Sequence, residues 1–378
     1  MKKLLCAFLS MLLMITPITV CAYSNNANLF SNYVTNSDVY EGSYSSESVL
    51  NLYASKLNKQ NNNFLKDFIA KGGILVVDND TDDSASLCKD LNMQIEPEFI
   101  NSEDQRDNHT IDNIGTDIAT IYYNYGNGLS GIYVINAANN ITNLEKEKLI
   151  SEAIDTIHNI QNSHNSSSIQ PLASGTKKAL GNFTVTSTLL PKGKLSVTYE
   201  FFTVQNYYGK TYYTVKAQVV GMPGATLASS RPEYKSKFHG LSQKTTIKTT
   251  TSSVTIDSYG PERIDKNSSY TVSVGASFDE TGGTSFGANF NYTREMPETD
   301  LEATRTTTQA VWDVTLSNGA RKSTCTFVPA VTFVCPDSKS AISLSLSSDY
   351  VLDSWDTFKE TVSVSRNVTC NPNSYYQS

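Results

Sequence analysis

Much of this chain alternates apolar and polar positions with a period of two, and the cleanest stretch lies at residues 270 to 292. In Tyr270-Thr-Val272-Ser-Val274-Gly-Ala276-Ser-Phe278 every even position is apolar and every odd one is polar or tiny. Asp279-Glu-Thr-Gly-Gly283 supplies a turn, and the alternation returns in Ser285-Phe286-Gly-Ala288-Asn-Phe290-Asn-Tyr292. Successive strand side chains point to opposite faces, so the pattern predicts a β-hairpin with one oily and one wet face. The oily row is Tyr270, Val272, Val274, Ala276, Phe278, Phe286, Ala288, Phe290 and Tyr292; the wet row is Ser, Thr, Gly and Asn. Arms of about nine residues match a tilted strand crossing a bilayer, with the oily row toward lipid and the wet row lining water. An ordinary half-buried hairpin on a soluble β-sandwich carries the same pattern, and such hairpins are commoner.

Helical spacing is confined to the first half. Val49, Leu50, Tyr53, Leu57, Phe64, Phe68 and Ile69 follow it, Gly72-Gly73 ends the segment, and Ile74–Val77 reads as a buried strand. A short helix is expected around Ser84 to Leu91. Strands Ile118–Tyr125 and Gly131–Asn136 flank Gly126-Asn-Gly128, a hairpin turn signal. Thr142, with Glu145 three residues on, forms a capping box for a helix running to about Ile160. These elements predict a small α/β domain over 46–162. Ser163 to Gly175 has the composition of a linker. Beyond it, Phe183–Leu190, Lys194–Val204, Thr211–Val220, Lys244–Asp257, the hairpin, Gln309–Leu316, Cys325–Val334, Ile342–Leu346 and Thr361–Thr369 read as strands. The expected class is α+β: the α/β domain, then a mostly antiparallel β-sandwich over 176–378.

The first residues change the picture of compartment. Lys2 and Lys3 precede an apolar run from Leu4 to about Val20, and Val20-Cys21-Ala22 fits a cleavage site, so residues 1–22 read as a secretory signal peptide. Lipidation of Cys21 would want Gly, Ala or Ser where Val20 stands. Residues 23–45, rich in Asn, Ser and Tyr, read as a flexible leader. Removing the two signal lysines takes the net charge from −7 to −9, which argues against nucleic acid as a partner. Outside the signal, Cys88, Cys325, Cys335 and Cys370 remain, an even number suited to an oxidising setting. Cys325 and Cys335 flank two apparent short strands about Pro329 and share parity, so a cross-strand disulfide between them is expected. Cys88 and Cys370 are the remaining pair.

Catalytic signals are weak. Asp78-Asn-Asp80-Thr-Asp82-Asp83 follows the Ile74–Val77 strand. Phosphotransferase chemistry wants Thr where Asp82 stands, and a Ca²⁺ loop wants Gly where Asp83 stands. Acidic residues in a helix's first turn explain the cluster as well. His109, His158, His164 and His239 show no metal spacing, and no phosphate loop is present. Trp312 and Trp355 read as core, and the Tyr-rich run Asn206 to Tyr213 as a tight hairpin. No enzyme, cofactor or metal site is expected.

The run Val254-Thr-Ile-Asp-Ser-Tyr-Gly-Pro-Glu-Arg-Ile-Asp-Lys-Asn-Ser-Ser-Tyr-Thr-Val-Ser-Val-Gly-Ala276 resembles the entry into the stem of leukocidin/haemolysin-type β-barrel pore-forming toxins. Gly287-Ala-Asn-Phe-Asn-Tyr292, and Val311-Trp-Asp-Val-Thr-Leu316 after a polar stretch, resemble that family's stem exit and next sandwich strand. The resemblance implies a secreted monomer that meets a target-cell membrane or surface receptor and oligomerises there. Each subunit would give one hairpin, residues 270–292, to a shared barrel. The α/β domain is similar in placement to the removable pro-domains of larger cytolysins. The other reading is a non-lytic secreted or surface sandwich used for binding or scaffolding.

Overall fold

The structure is a computed structural model that describes residues 49–54, 62–79, 84–98, 115–126, 129–137, 140–164, 177–207, 209–230, 236–264, 268–274, 290–296, 299–336, 341–354 and 359–372. Among these, the amino-terminal part supplies β1 (Val49–Tyr53), α1 (Asn62–Ala70), β2 (Ile74–Asp78), α2 (Ser84–Asp90), β3 (Ile95–Pro97), β4 (Thr116–Gly126), β5 (Leu129–Ala137) and α3 (Asn143–His164). Next come β6 (Lys178–Leu189), β7 (Gly193–Tyr207), β8 (Lys210–Pro223), a short helix α4 (Gly224–Ser230) and β9 (His239–Thr249). The chain continues through β10 (Thr255–Gly260), β11 (Arg263–Ile264), β12 (Ser268–Val274) and β13 (Phe290–Met296). It ends with β14 (Thr299–Arg305), β15 (Gln309–Leu316), β16 (Cys325–Phe327), β17 (Ala330–Cys335), β18 (Ile342–Asp353) and β19 (Lys359–Cys370).

Local rules explain the helices. Leu65, Phe68 and Ile69 fall on one stripe of α1 and are buried. Gly72, at φ 96°, accepts the left-handed conformation that ends the helix, and its N–H donates to the Ile69 carbonyl. At α3 the expected capping box is present: the Glu145 N–H donates to Thr142 Oγ1 at 3.2 Å and the Thr142 N–H to Glu145 Oε2 at 2.8 Å.

The strands form a mostly antiparallel α+β fold with no closed barrel among the described residues. A ten-stranded sheet runs β1-β2-β4-β5-β6-β7-β8-β17-β10, with β16 also on β8. A seven-stranded sheet runs β11-β14-β15-β9-β18-β19-β3. β18 and β19 cross over β6, β7 and β8, and the space between is the core. Phe183, Tyr199, Phe201 and Val215 from the first sheet meet Ile247, Leu346, Tyr350 and Val364 from the second in one apolar cluster. Trp312 is fully buried there, as its sequence context predicts.

Two expectations change. The α/β segment does not carry a sheet of its own: β5 pairs in parallel with β6, and β3 pairs with β19. All described residues fall in one compact unit, Val34–Ser378. The reason lies in β5, which is buried along almost its whole length and needs a neighbour on each side. The route β5–α3–β6 is a crossover between parallel strands, and its polar connection resembles an interdomain linker in composition. The connecting residues 165–176 lie outside the described part.

The second change is the disulfide. Cys325, Cys335, Cys88 and Cys370 are all free and buried. Pro329 does not turn the chain. β16 and β17 pair with β8 in one continuous register, Cys325 opposite Gly221 and Cys335 opposite Thr211. The Pro329 carbonyl still accepts from the Ala217 N–H at 2.9 Å, so the ring only interrupts the ladder. Ten residues of extended strand separate the two cysteines by about 33 Å, whereas a bridge needs Cα atoms within about 7 Å.

Candidate membrane hairpin and its anchorage

β12 and β13 form a two-stranded antiparallel sheet belonging to neither large sheet. Tyr270, Val272 and Val274 stand opposite Arg294, Tyr292 and Phe290. Ser269, Thr271 and Ser273 stand opposite Glu295, Thr293 and Asn291. Directly opposed residues share a face, so the alternation of one arm is in phase with that of the other. A slip of one residue would mix the rows. Arg294 and Glu295 sit toward the root, where the apolar row ends. Ala276, Phe278, Phe286 and Ala288 lie outside the described residues, as does the connection 275–289.

The hairpin is inserted where the chain changes sheets. β10 is the edge of the first sheet, paired to β17. Through Gly260–Pro261 the chain passes to β11 on the edge of the second sheet. After the hairpin it returns as β14, pairing with β11 at Arg263↔Glu302 and Ile264↔Leu301. Both ends of the hairpin therefore emerge from one clamped edge. β12 runs beside β10 and β17, and β13 beside β16.

The root is fixed by side-chain contacts. Trp312 Nε1 donates to the Pro261 carbonyl at 3.0 Å. The Tyr259 ring tilts against Trp312 at 6.4 Å, and the Arg305 guanidinium lies 5.2 Å from the Tyr259 centroid. Ile264 and Leu301 are buried beneath. Sequence reading placed Trp312 in the core but missed that its indole N–H fixes the turn into the hairpin.

The other candidate residues do not converge. Asp78 Oδ1 accepts from Lys146 Nζ at 2.6 Å, an ion pair between β2 and α3. Asp80, Asp82, Asp83, His109 and Trp355 lie outside the described residues, and nothing is described of the His164 side chain. His158 Nε2 is buried on α3 without a hydrogen-bond partner among the described residues, and His239 stands at the start of β9. Burial and nearby Lys322 lower the His239 pKa. Among the described residues no three His, Cys, Asp or Glu side chains are placed to hold a metal ion. The Tyr-rich run falls mostly in β7 and β8, with Tyr207 opposite Lys210 and Gly209 at φ 76°; Tyr208 lies outside the described residues. Among the described residues no helix is long and apolar enough to cross a membrane, which leaves strands untouched by that criterion.

No protein-family model matches the chain, and no curated protein matches it. Solved structures show a loose likeness. A "pore forming protein" is 11% identical with a TM-score of 0.32, covering 52% of this chain and 91% of its own. The delta-toxin of Clostridium perfringens is 13% identical at 0.29, covering 51% and 89%. The Clostridium perfringens NetB toxin in its membrane-inserted form is 8% identical at 0.28, covering 52% and 96%. At these values the likeness is a weak one of general fold and says nothing of activity.

Proposed function

We propose that the chain is a secreted pore-forming protein that assembles on a target-cell membrane and gives residues 270–292 to a shared β-barrel. The observation that carries this reading is the register of β12 on β13 beyond the root, where Val272 and Val274 stand opposite Tyr292 and Phe290 and Thr271 and Ser273 opposite Thr293 and Asn291, while Arg294 faces Tyr270 at the root. A two-stranded sheet is marginal by itself. Closing many such hairpins into a ring in lipid satisfies every strand edge and gives the apolar row an apolar solvent. The clamped root at β11–β14 and Trp312 supports the reading, because a segment that moves needs a body that stays. The expected leader at 1–22 supports export, the negative charge disfavours nucleic acid, and no enzymatic step is assigned.

Dye release from vesicles tests the proposal. Wild-type protein is expected to empty vesicles of at least one composition among neutral, anionic and cholesterol-containing lipid. Val274→Asp places a charge on the lipid row, at a cost per subunit below the ~2–4 kcal/mol of Lys or Arg at the midplane but repeated in every subunit of the ring, so release falls at least tenfold. Ser273→Asp, on the wet row, retains it. Thermal melts of the soluble forms check that all three fold. Equal release by wild type and Val274→Asp, or none by wild type on every composition, would leave a non-lytic binding or scaffolding sandwich.

A further inference from the structure

Taken by themselves, β6 to β19 would leave a raw edge on each large sheet: β6 on the first and β19 on the second. The same amino-terminal stretch covers most of β6 and the carboxy-terminal end of β19. β5 pairs with β6 from Ser130↔Gly181 to Ala137↔Thr188. β3 pairs with β19 from Ile95↔Cys370 to Pro97↔Val368. Two further backbone bonds lengthen that second seam, Glu98 N–H to the Asn367 carbonyl at 2.8 Å and Asn371 N–H to the Gln94 carbonyl at 2.9 Å. An unpaired strand edge is a template for another chain's strand.

The seams are specific. Across β5 and β6, the Tyr133 and Thr186 hydroxyls are 2.7 Å apart, and Ser187 Oγ donates to Asn136 Oδ1 at 3.2 Å. Tyr123 reaches over to donate to Asn182 Oδ1 at 2.9 Å. The strands come so close that a Cβ at Gly131 would lie 2.8 Å from Asn182 Oδ1 of β6, and one at Gly181 would strike the Ser130 carbonyl. Gly181 also holds φ at +136°, which a side chain would strain. Between the sheets, Asp117 of β4 is ion-paired with Arg366 of β19, the two side chains 4% and 1% exposed. Asn136 Nδ2 donates to the same Asp117 oxygen at 3.0 Å. Ile132 and Val134 belong to one apolar cluster with Phe183, Val185 and Val368.

We propose that residues 49–164 are a resident edge cap: they stop β6 and β19 from pairing with a second copy, and they remain in place when the chain is cut between 164 and 177. This stands whether or not the hairpin enters lipid. It opposes the removable pro-domain that the sequence suggests.

The test uses the full chain with a protease recognition sequence inserted between 165 and 176. After complete cleavage, gel filtration without denaturant is expected to give one peak of monomer mass containing both fragments. Hydrogen exchange at the β6 amides should stay within about twofold of the uncut protein. Separate elution of the fragments, or β6 exchange a hundredfold faster, overturns the resident cap. In graded urea the cut protein should part into its fragments, and the sandwich fragment should then elute as a dimer or larger. A parted sandwich fragment that stays monomeric would show that the edges need no cap.

Discussion

The hairpin β12–β13 and the seam β5–β6 use the same backbone chemistry in opposite settings. β5 and β6 lie inside a ten-stranded sheet, each with a second neighbour, and their side chains meet in hydroxyl bonds and a shared core. β12 and β13 have each other and belong to no larger sheet. Ladder hydrogen bonds exchange for bonds to water at modest net gain, about 0.5–1.5 kcal/mol each. What fixes a strand in place is therefore its burial and its side-chain network more than its ladder. By that measure the seam is permanent structure. The hairpin belongs to neither large sheet, and under the proposed function it is the part whose pairing partner changes.

The largest expected effect tests the permanent side of that contrast. Arg366→Met leaves the buried Asp117 carboxylate without its counter-charge, though Asn136 still donates to it, and removing one member of such a pair costs about 3–5 kcal/mol. Urea unfolding of the soluble protein should show that loss. The double variant Asp117→Leu with Arg366→Met should recover most of it, because the desolvated charge is gone. Ser273→Asp in the hairpin should shift stability by no more than about 0.5 kcal/mol. A hairpin substitution as costly as Arg366→Met would mean that the two regions are not different in kind.

A smaller effect is expected at the joint between them. Trp312→Phe removes the N–H that meets the buried Pro261 carbonyl, at a cost of about 1–3 kcal/mol for the orphaned acceptor. The loss should appear locally, as faster hydrogen exchange at β11 and β14 while β5 and β6 keep their protection. Uniform loss across both would place Trp312 in the general core and take the root away from the hairpin.

How much of this was legible follows from the range of each signal. The pairing of β12 with β13 was, because alternation is local and the register adds only phase: Val272 finds Tyr292 and Val274 finds Phe290, while 275–289 lie outside the described residues. The capping box at Thr142 and Glu145 was too. The β5–β6 pairing was not, since no local feature of Gly131–Asn136 says whether its second neighbour lies before or after it in the chain. A polar stretch after α3 fits a crossover as well as a boundary. One signal was overlooked. Arg366 falls in phase with Val362, Val364 and Val368, so β19's own alternation places an arginine on the buried face, and such a charge demands a partner. Pro329 misled in the opposite direction: a proline between two short apolar runs looks like a turn, yet here the strand runs straight through it.

The smallest effect concerns chemistry alone, at thiols that flank both regions. Cys88 lies on α2 within the amino-terminal segment, with its Sγ 3.8 Å from the Tyr122 hydroxyl, and Cys325 lies on β16, beside β13. Burial pushes both thiols up to about 12 and raises Cys370 further. The reactive form is the thiolate, which an ordinary cysteine near 8.5 populates appreciably at pH 8. A thiol at 12 holds on the order of one part in ten thousand as thiolate at that pH. Alkylation at pH 8 should therefore leave Cys88, Cys325 and Cys370 unlabelled in the native protein and label Cys88, Cys325, Cys335 and Cys370 in denaturant. Peptide mapping without reductant should find no link between 325 and 335, since a bridge would require β16–β17 to fold back and abandon its register on β8. Vesicles sharpen the comparison. If only the hairpin moves when the protein meets lipid, Cys88 and Cys325 should stay equally protected. Labelling of Cys325 alone would show that the strand beside the hairpin opens with it, and labelling of Cys88 would show that the seam opens as well.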